Sequence, residues 1–149
     1  MWVVSILYAY AFWVLLPVTA ICAWRFGGLA EKRTVAMLVA ATVATELSIS
    51  KNMYQHAELL VFAVDVFLCA GLIWLALETG RLWLMLSAAL QALPCLAHLG
   101  KLIEPRSFML GYQLMAEASG YPTLALLAIG VWAQYRRARR NVADTFEAS

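Results

Sequence analysis

Apolar residues run through this chain in five long blocks, at 2–24, 34–50, 59–77, 82–100 and 109–133, separated by short stretches that hold many of its basic residues. Each block is near the roughly 17 to 25 residues that an α-helix needs to cross the hydrocarbon of a bilayer. The pattern predicts an all-α fold, a polytopic transmembrane helix bundle of five spans within a single domain (1–135), followed by a short basic cytoplasmic tail (136–149). The second block is the shortest and is interrupted by Thr42, Thr45, Glu46, Ser48 and Ser50. Gly27 and Gly28 read as a turn between the first two blocks. The first block has no basic residue ahead of it and is longer than the apolar core of a signal peptide, so it is expected to stay in the mature chain.

Charge parity supports the second span and sets the orientation. One basic cluster, Arg25, Lys32 and Arg33, follows the first block, and another, Arg136, Arg137, Arg139 and Arg140, follows the last. Basic residues concentrate on the cytoplasmic side, so an even number of crossings should separate the two clusters. Four crossings satisfy this and three do not. With the N-terminus outside and the C-terminus inside, eight basic residues (the seven above and Arg81) face the cytoplasm, against Lys51, Lys101 and Arg106 outside. The tail arginines are read as contacts to lipid headgroups, with no nucleic-acid partner. Trp2, Trp24, Trp83 and Trp132 fall at span ends, where indole bridges hydrocarbon and headgroup.

Composition agrees with this class. Hydrophobic residues form 64% and charged residues 13% of the chain, against roughly 45 to 50% and about 25% in soluble domains. Nothing is left over for a separate soluble core, so recognition is expected within the bilayer or through another subunit. Cys22, Cys69 and Cys95 all lie in apolar blocks without ligand or disulfide spacing and read as small core residues. Zinc-protease, nucleophile-elbow and phosphate-loop motifs are absent, so no catalytic residue is assigned and no enzymatic activity is expected.

Candidate chemistry lies in the ionisable residues within the blocks. With a rise of about 1.5 Å per residue from each block's midpoint, Asp65 sits roughly 5 Å, Glu46 and Glu117 roughly 6 Å, and His98 roughly 11 Å toward the outer side. Helices of alternating direction would scatter randomly placed polar groups, so this agreement predicts one intramembrane polar cluster: Glu46, Asp65, Gln91, His98 and Glu117. Helical spacing adds Thr42 and Ser50 to the face of Glu46, and places Ser87, Gln91, Cys95 and His98 on one face. Lys51 and Lys101, at the outer ends of their spans, are possible ion-pair partners by snorkelling. Close helix packing is expected at Ala36, Ala40 and Ala44, and at Ala116 and Gly120, from small-residue spacing. Pro17, Pro94 and Pro122 are expected to kink their spans.

The segment Phe62-Ala63-Val64-Asp65, with Ala89-Leu90-Gln91, Leu96-Ala97-His98-Leu99-Gly100-Lys101, Tyr121-Pro122 and Gly130-Val131-Trp132, resembles small polytopic bacterial inner-membrane proteins. The resemblance implies an inner-membrane, multi-pass location and no particular activity. It also implies that Asp65, Gln91, His98, Lys101 and Tyr121 belong to one arrangement.

Three function classes follow. The first is a non-enzymatic membrane protein acting as a homo-oligomer or as an accessory or scaffold subunit of a larger complex, its polar residues organising helix packing. The second is a small proton- or ion-coupled transporter or channel built on the carboxylate and histidine layer. The third is a membrane metal or redox-cofactor protein, in which His98 and carboxylates would hold a divalent ion or His98 a haem; with one histidine at depth, no metal ligand set and no cofactor is assigned.

Overall fold

The computed structural model describes residues 2–51, 54–103 and 120–147, with side chains defined at 10–48, 59–101, 103 and 120–141. Among them are five helices and no strand: α1 (Trp2–Phe26), α2 (Leu29–Lys51), α3 (Tyr54–Thr79), α4 (Leu82–Ile103) and α5 (Gly120–Glu147). Two segments, Leu59–Thr79 and Leu82–Lys101, are long and apolar enough to cross a membrane, and a shorter apolar stretch covers Tyr10–Phe26.

The helices differ from the apolar blocks mainly at their ends. α2 begins at Leu29, five residues before the expected 34, because the Gly27–Gly28 turn ends α1 and a polar first turn follows directly. α5 runs past 133 and carries the tail as helix to Glu147. The tail's arginines and alanines favour helix, and no Gly or Pro interrupts them. The N-terminal part of the block at 109–133 lies outside the described residues. Pro17 and Pro94 lie inside α1 and α4.

Each helix packs on its neighbours in the chain, and α5 closes the ring against α1 and α4 while also touching α2. Ring contacts fix the directions. Phe12 meets Tyr121 and Phe26 meets Tyr135 edge to face, at 5.9 and 5.5 Å, so α1 and α5 run parallel. Arg33 reaches Glu78 and Met37 abuts Gly71, so α2 and α3 run antiparallel. Two apolar clusters fill the centre. Ala30, Leu68, Leu72, Leu75, Ala76, Leu84 and Ala88 join α2, α3 and α4. Ala23, Val35, Leu127 and Val131 join α1, α2 and α5, and Leu38 and Trp83 pack against both clusters.

Two glycines have evident structural reasons. Gly80 ends α3 at φ 62°, donating its N–H to the Ala76 carbonyl at 2.8 Å in a left-handed C-terminal cap. At Gly130 a Cβ would come within 2.6 Å of the Trp83 ring, so the missing side chain lets α4 approach α5. Trp83 is therefore half-buried against α5, less exposed than its span-end position suggested. Trp24 and Trp132 are exposed, each beside a cation: Lys32 Nζ lies 5.8 Å from the Trp24 ring and the Arg136 guanidinium 4.7 Å from Trp132.

Large apolar side chains face outward on every helix, Phe67, Leu77 and Leu82 among the most exposed, while Glu31, Thr34, Ser87, Gln91, His98 and Thr123 are buried. No buried side-chain nitrogen or oxygen among the described residues lacks a hydrogen-bond partner.

Candidate functional site

Polar side chains gather at two levels of the bundle. The first level lies on α3 and α4. Asp65 projects from α3, and Gln91 and His98, two turns apart on α4, project toward it. Gln91 Nε2 donates to Asp65 Oδ1 at 3.0 Å. His98 Nε2 lies 3.5 Å from Asp65 Oδ2, and its ring tilts against Phe62 at 5.5 Å. Gln91 and His98 are buried and Asp65 is half-buried. The group is thus a carboxylate that accepts from an amide and lies beside an imidazole. Cys95 donates to the Gln91 carbonyl at 3.4 Å, and Cys69 to the Ala88 carbonyl at 3.8 Å.

The second level, at the α1–α2 turn, was not anticipated from the sequence. Glu31 is completely buried in the first turn of α2, and its Oε2 accepts the Gly28 backbone N–H at 2.9 Å. This is the helix-capping half of a capping box, in which a Glu at the third helical position reaches back to the residue before the helix. Its other oxygen pairs with Arg81, at the start of α4. The second guanidinium nitrogen of Arg81 donates to Gln134 of α5 at 3.3 Å. One carboxylate thereby ties the α1–α2 turn, α4 and α5 together. Beside it, the exposed pair Arg33–Glu78 links α2 to α3 at 3.2 Å. Arg33 and Arg81, read only as topological charges, are also packing contacts. The local signal for Glu31 was its place three residues after the glycine turn.

Between the two levels lies the apolar cluster of Leu68, Leu72, Leu75, Leu84 and Ala88. Along α4, Arg81 and Gln91 are separated by roughly 15 Å of helix. In that interval Ser87 bonds to the Trp83 carbonyl and Cys69 to the Ala88 carbonyl.

Glu46 is exposed on α2, not turned into the bundle with Asp65. Glu117 and Ala116 lie outside the described residues, as does the side chain of Lys51; Lys101 is half-buried near the end of α4. Ala36 and Ala40 are exposed and Ala44 is half-buried, so much of this small-residue stripe points away from the bundle. Gly120 faces the Phe12 ring, which a Cβ would meet at 3.3 Å. Arg136, Arg137, Arg139 and Arg140 are exposed. Cys22 is exposed, which corrects its reading as a core residue; it lines a groove between α1 and α5, whereas Cys69 is buried. Among the described residues, no three His, Cys, Asp or Glu side chains converge as a metal-binding group.

Comparison of the chain with protein-family models, with curated proteins and with solved structures finds no match.

Proposed function

We propose that this chain is a small non-enzymatic integral membrane protein, a five-span bundle with its N-terminus outside and its C-terminus inside, that works as a homo-oligomer or as an accessory subunit of a larger complex. A bacterial inner membrane is the location that the resemblance implies. The outward display of large apolar side chains around buried, fully bonded polar ones supports the membrane reading, because water would oppose that arrangement and hydrocarbon favours it.

The observation that carries the assembly reading is the outer face of α2. Glu46 is exposed there on one flank of the helix, roughly 80° round from the exposed Ala36 and further from Ala40, so the face spans both small residues and an acid. A carboxylate facing lipid costs roughly 2.5 to 3.5 kcal/mol on insertion scales. Alanines four residues apart let a second helix approach closely. A helix from a second copy or another subunit, laid along α2, shields Glu46 and supplies a donor to it. Mass measurement of the complex extracted in mild detergent tests this. A particle heavier than one chain is expected, and Ala36→Leu with Ala40→Leu should dissociate it. A strictly monomeric, partner-free protein would overturn the reading.

The second reading, a proton or ion conductor, has one observation in its favour, the Asp65–His98 contact. The leucine layer beneath that contact opposes it, since conduction would need water to pass between Leu68, Leu72 and Leu84. Proton flux into liposomes that disappears with Asp65→Asn would establish this reading in place of the first.

A further inference from the structure

We propose that the groove between α1 and α5 holds an anionic phospholipid, with acyl chain along its apolar part and phosphate at Arg136, Arg139 and Arg140. This rests on the membrane-spanning reading and adds a specific ligand to it. The groove has a volume of about 500 Å³ and is lined by Val18, Cys22 and Phe26 of α1 with Ala128, Trp132 and Tyr135 of α5. A second cavity of about 490 Å³ adjoins it, lined by the same Trp132 and Tyr135 together with the three arginines. Each falls in the size range of small-molecule sites, roughly 300 to 1,000 Å³.

Helix geometry makes the two cavities one continuous surface. Residues 128, 132, 135 and 139 follow at intervals of four, three and four along α5, with 136 at the edge of the same stripe, which changes from apolar to basic as it leaves the span. Arg137 falls on the opposite side and lines a different cavity, beside Gly130 and Arg81. The stacked aromatics hold the cations in place: the Arg136 guanidinium is 4.7 Å from the Trp132 ring and that of Arg139 is 5.6 Å from Tyr135. Among the described residues, no Asp or Glu lines either cavity.

This distribution fits the shape and charge of the proposed ligand. Guanidinium groups bind phosphate oxygens through paired N–H donors. The order along the groove, apolar then aromatic then cationic, is that of a phospholipid from tail to headgroup. In the proposed orientation the basic end meets the cytoplasmic leaflet, where anionic lipids attract basic residues by about 1 kcal/mol each. Zwitterionic lipids fill the apolar part equally well but carry a cation that the arginines repel.

Native mass spectrometry of the full chain in mild detergent tests this, with phosphatidylglycerol and phosphatidylcholine of identical acyl chains added together. Retention of phosphatidylglycerol should exceed that of phosphatidylcholine by about tenfold, as a difference of a kilocalorie or more implies. Arg136→Gln, Arg139→Gln and Arg140→Gln combined should abolish the preference, Ala128→Trp should reduce retention of both lipids, and Arg137→Gln should leave the preference intact. Equal retention of the two lipids by the unmutated protein would overturn the proposal whether or not any variant folds. So would an unchanged preference in the triple variant, or displacement of the lipid by excess glycerol phosphate, which would identify a soluble phosphate ligand. Alkaline carbonate extraction separates the two levels of inference. If the protein leaves the membrane, the spanning reading fails and the lipid site with it; if it stays but shows no anionic preference, only the lipid site fails.

Discussion

The two polar levels of this bundle solve the same problem by different means. At the α1–α2 turn the fully buried Glu31 pairs with the half-buried Arg81 and accepts a backbone N–H, while Arg81 also donates to Gln134. On α3 and α4 a single carboxylate, Asp65, is satisfied by an amide and an imidazole with no Lys or Arg in the contact. The first set joins elements distant in the chain, Glu31 to residues 81 and 134. The second, among the described residues, joins two adjacent helices. Helix ends come with unpaired backbone groups that a charged side chain can cap, and connections between helices lie where basic residues are retained. Mid-helix backbone is already bonded, so side chains there must satisfy one another. The contrast predicts a charge-dependent lock at one level and a weaker, exchangeable contact at the other.

Removing Arg81 should give the larger effect. Arg81→Ala leaves the carboxylate of Glu31 fully buried with only the Gly28 N–H as partner. Loss of one member of a buried pair costs about 3 kcal/mol or more, mostly from the uncompensated charge. The expected result is a correspondingly early loss of helicity when the detergent-solubilised protein is titrated with dodecyl sulfate. Adding Glu31→Gln to Arg81→Ala should recover much of the loss, since the amide still accepts the Gly28 N–H without a charge. If the double variant is no more stable than Arg81→Ala, the charge is not the source of the effect and the contrast between the levels fails.

Asp65→Asn should cost less, about 1 kcal/mol. The Asn oxygen still accepts from Gln91, and hydrogen bonds between membrane helices are worth on the order of 0.6 kcal/mol, rarely above about 1.7. The same dodecyl sulfate titration reads it. A loss equal to that of Arg81→Ala would show that Asp65 carries a charge essential to the fold and would remove the distinction between a locked and an exchangeable level.

How far the chain could be read in advance follows the same division. The helices were legible because long apolar runs leave few alternatives, and the Gly27–Gly28 turn because two glycines break such a run. Asp65, Gln91 and His98 were legible as a group because each stands alone in apolar surroundings and because helical spacing puts Gln91 and His98 on one face. Glu31 was not, since its negative charge sits among Lys32 and Arg33, where it reads as part of a solvated loop, and its partner is fifty residues away. The continuation of α5 through the tail was also missed. Hydrophobicity ends near 133, although helix propensity does not change there. Small-residue spacing at Ala36, Ala40 and Ala44 announces close packing but contains no information on which helix is approached. Glu46 differs for a related reason: it stands three turns beyond the buried Val35 on nearly the same side of α2, and spacing gives a side of the helix without saying whether a neighbour covers it that far along.

Glu46 yields the smallest stability effect and the sharpest test of assembly. It is exposed in the single chain, so Glu46→Leu removes no buried partner and should leave the dodecyl sulfate midpoint of the isolated subunit essentially unchanged. Both Asp65→Asn and Arg81→Ala shift that midpoint, so the three variants separate contacts within the subunit from contacts between subunits. In the proposed assembly a neighbouring helix would cover the carboxylate and donate to it, and its loss should then raise the fraction of free subunit seen by mass in mild detergent. Leucine at this position also makes the α2 face compatible with lipid, so a dissociated subunit should remain soluble in detergent instead of aggregating. An unchanged particle mass with an unchanged midpoint would show that Glu46 serves neither the bundle nor its assembly. A lowered midpoint would instead place Glu46 inside the subunit's own polar network, joined to Asp65, and the two levels would then differ in extent as well as in charge.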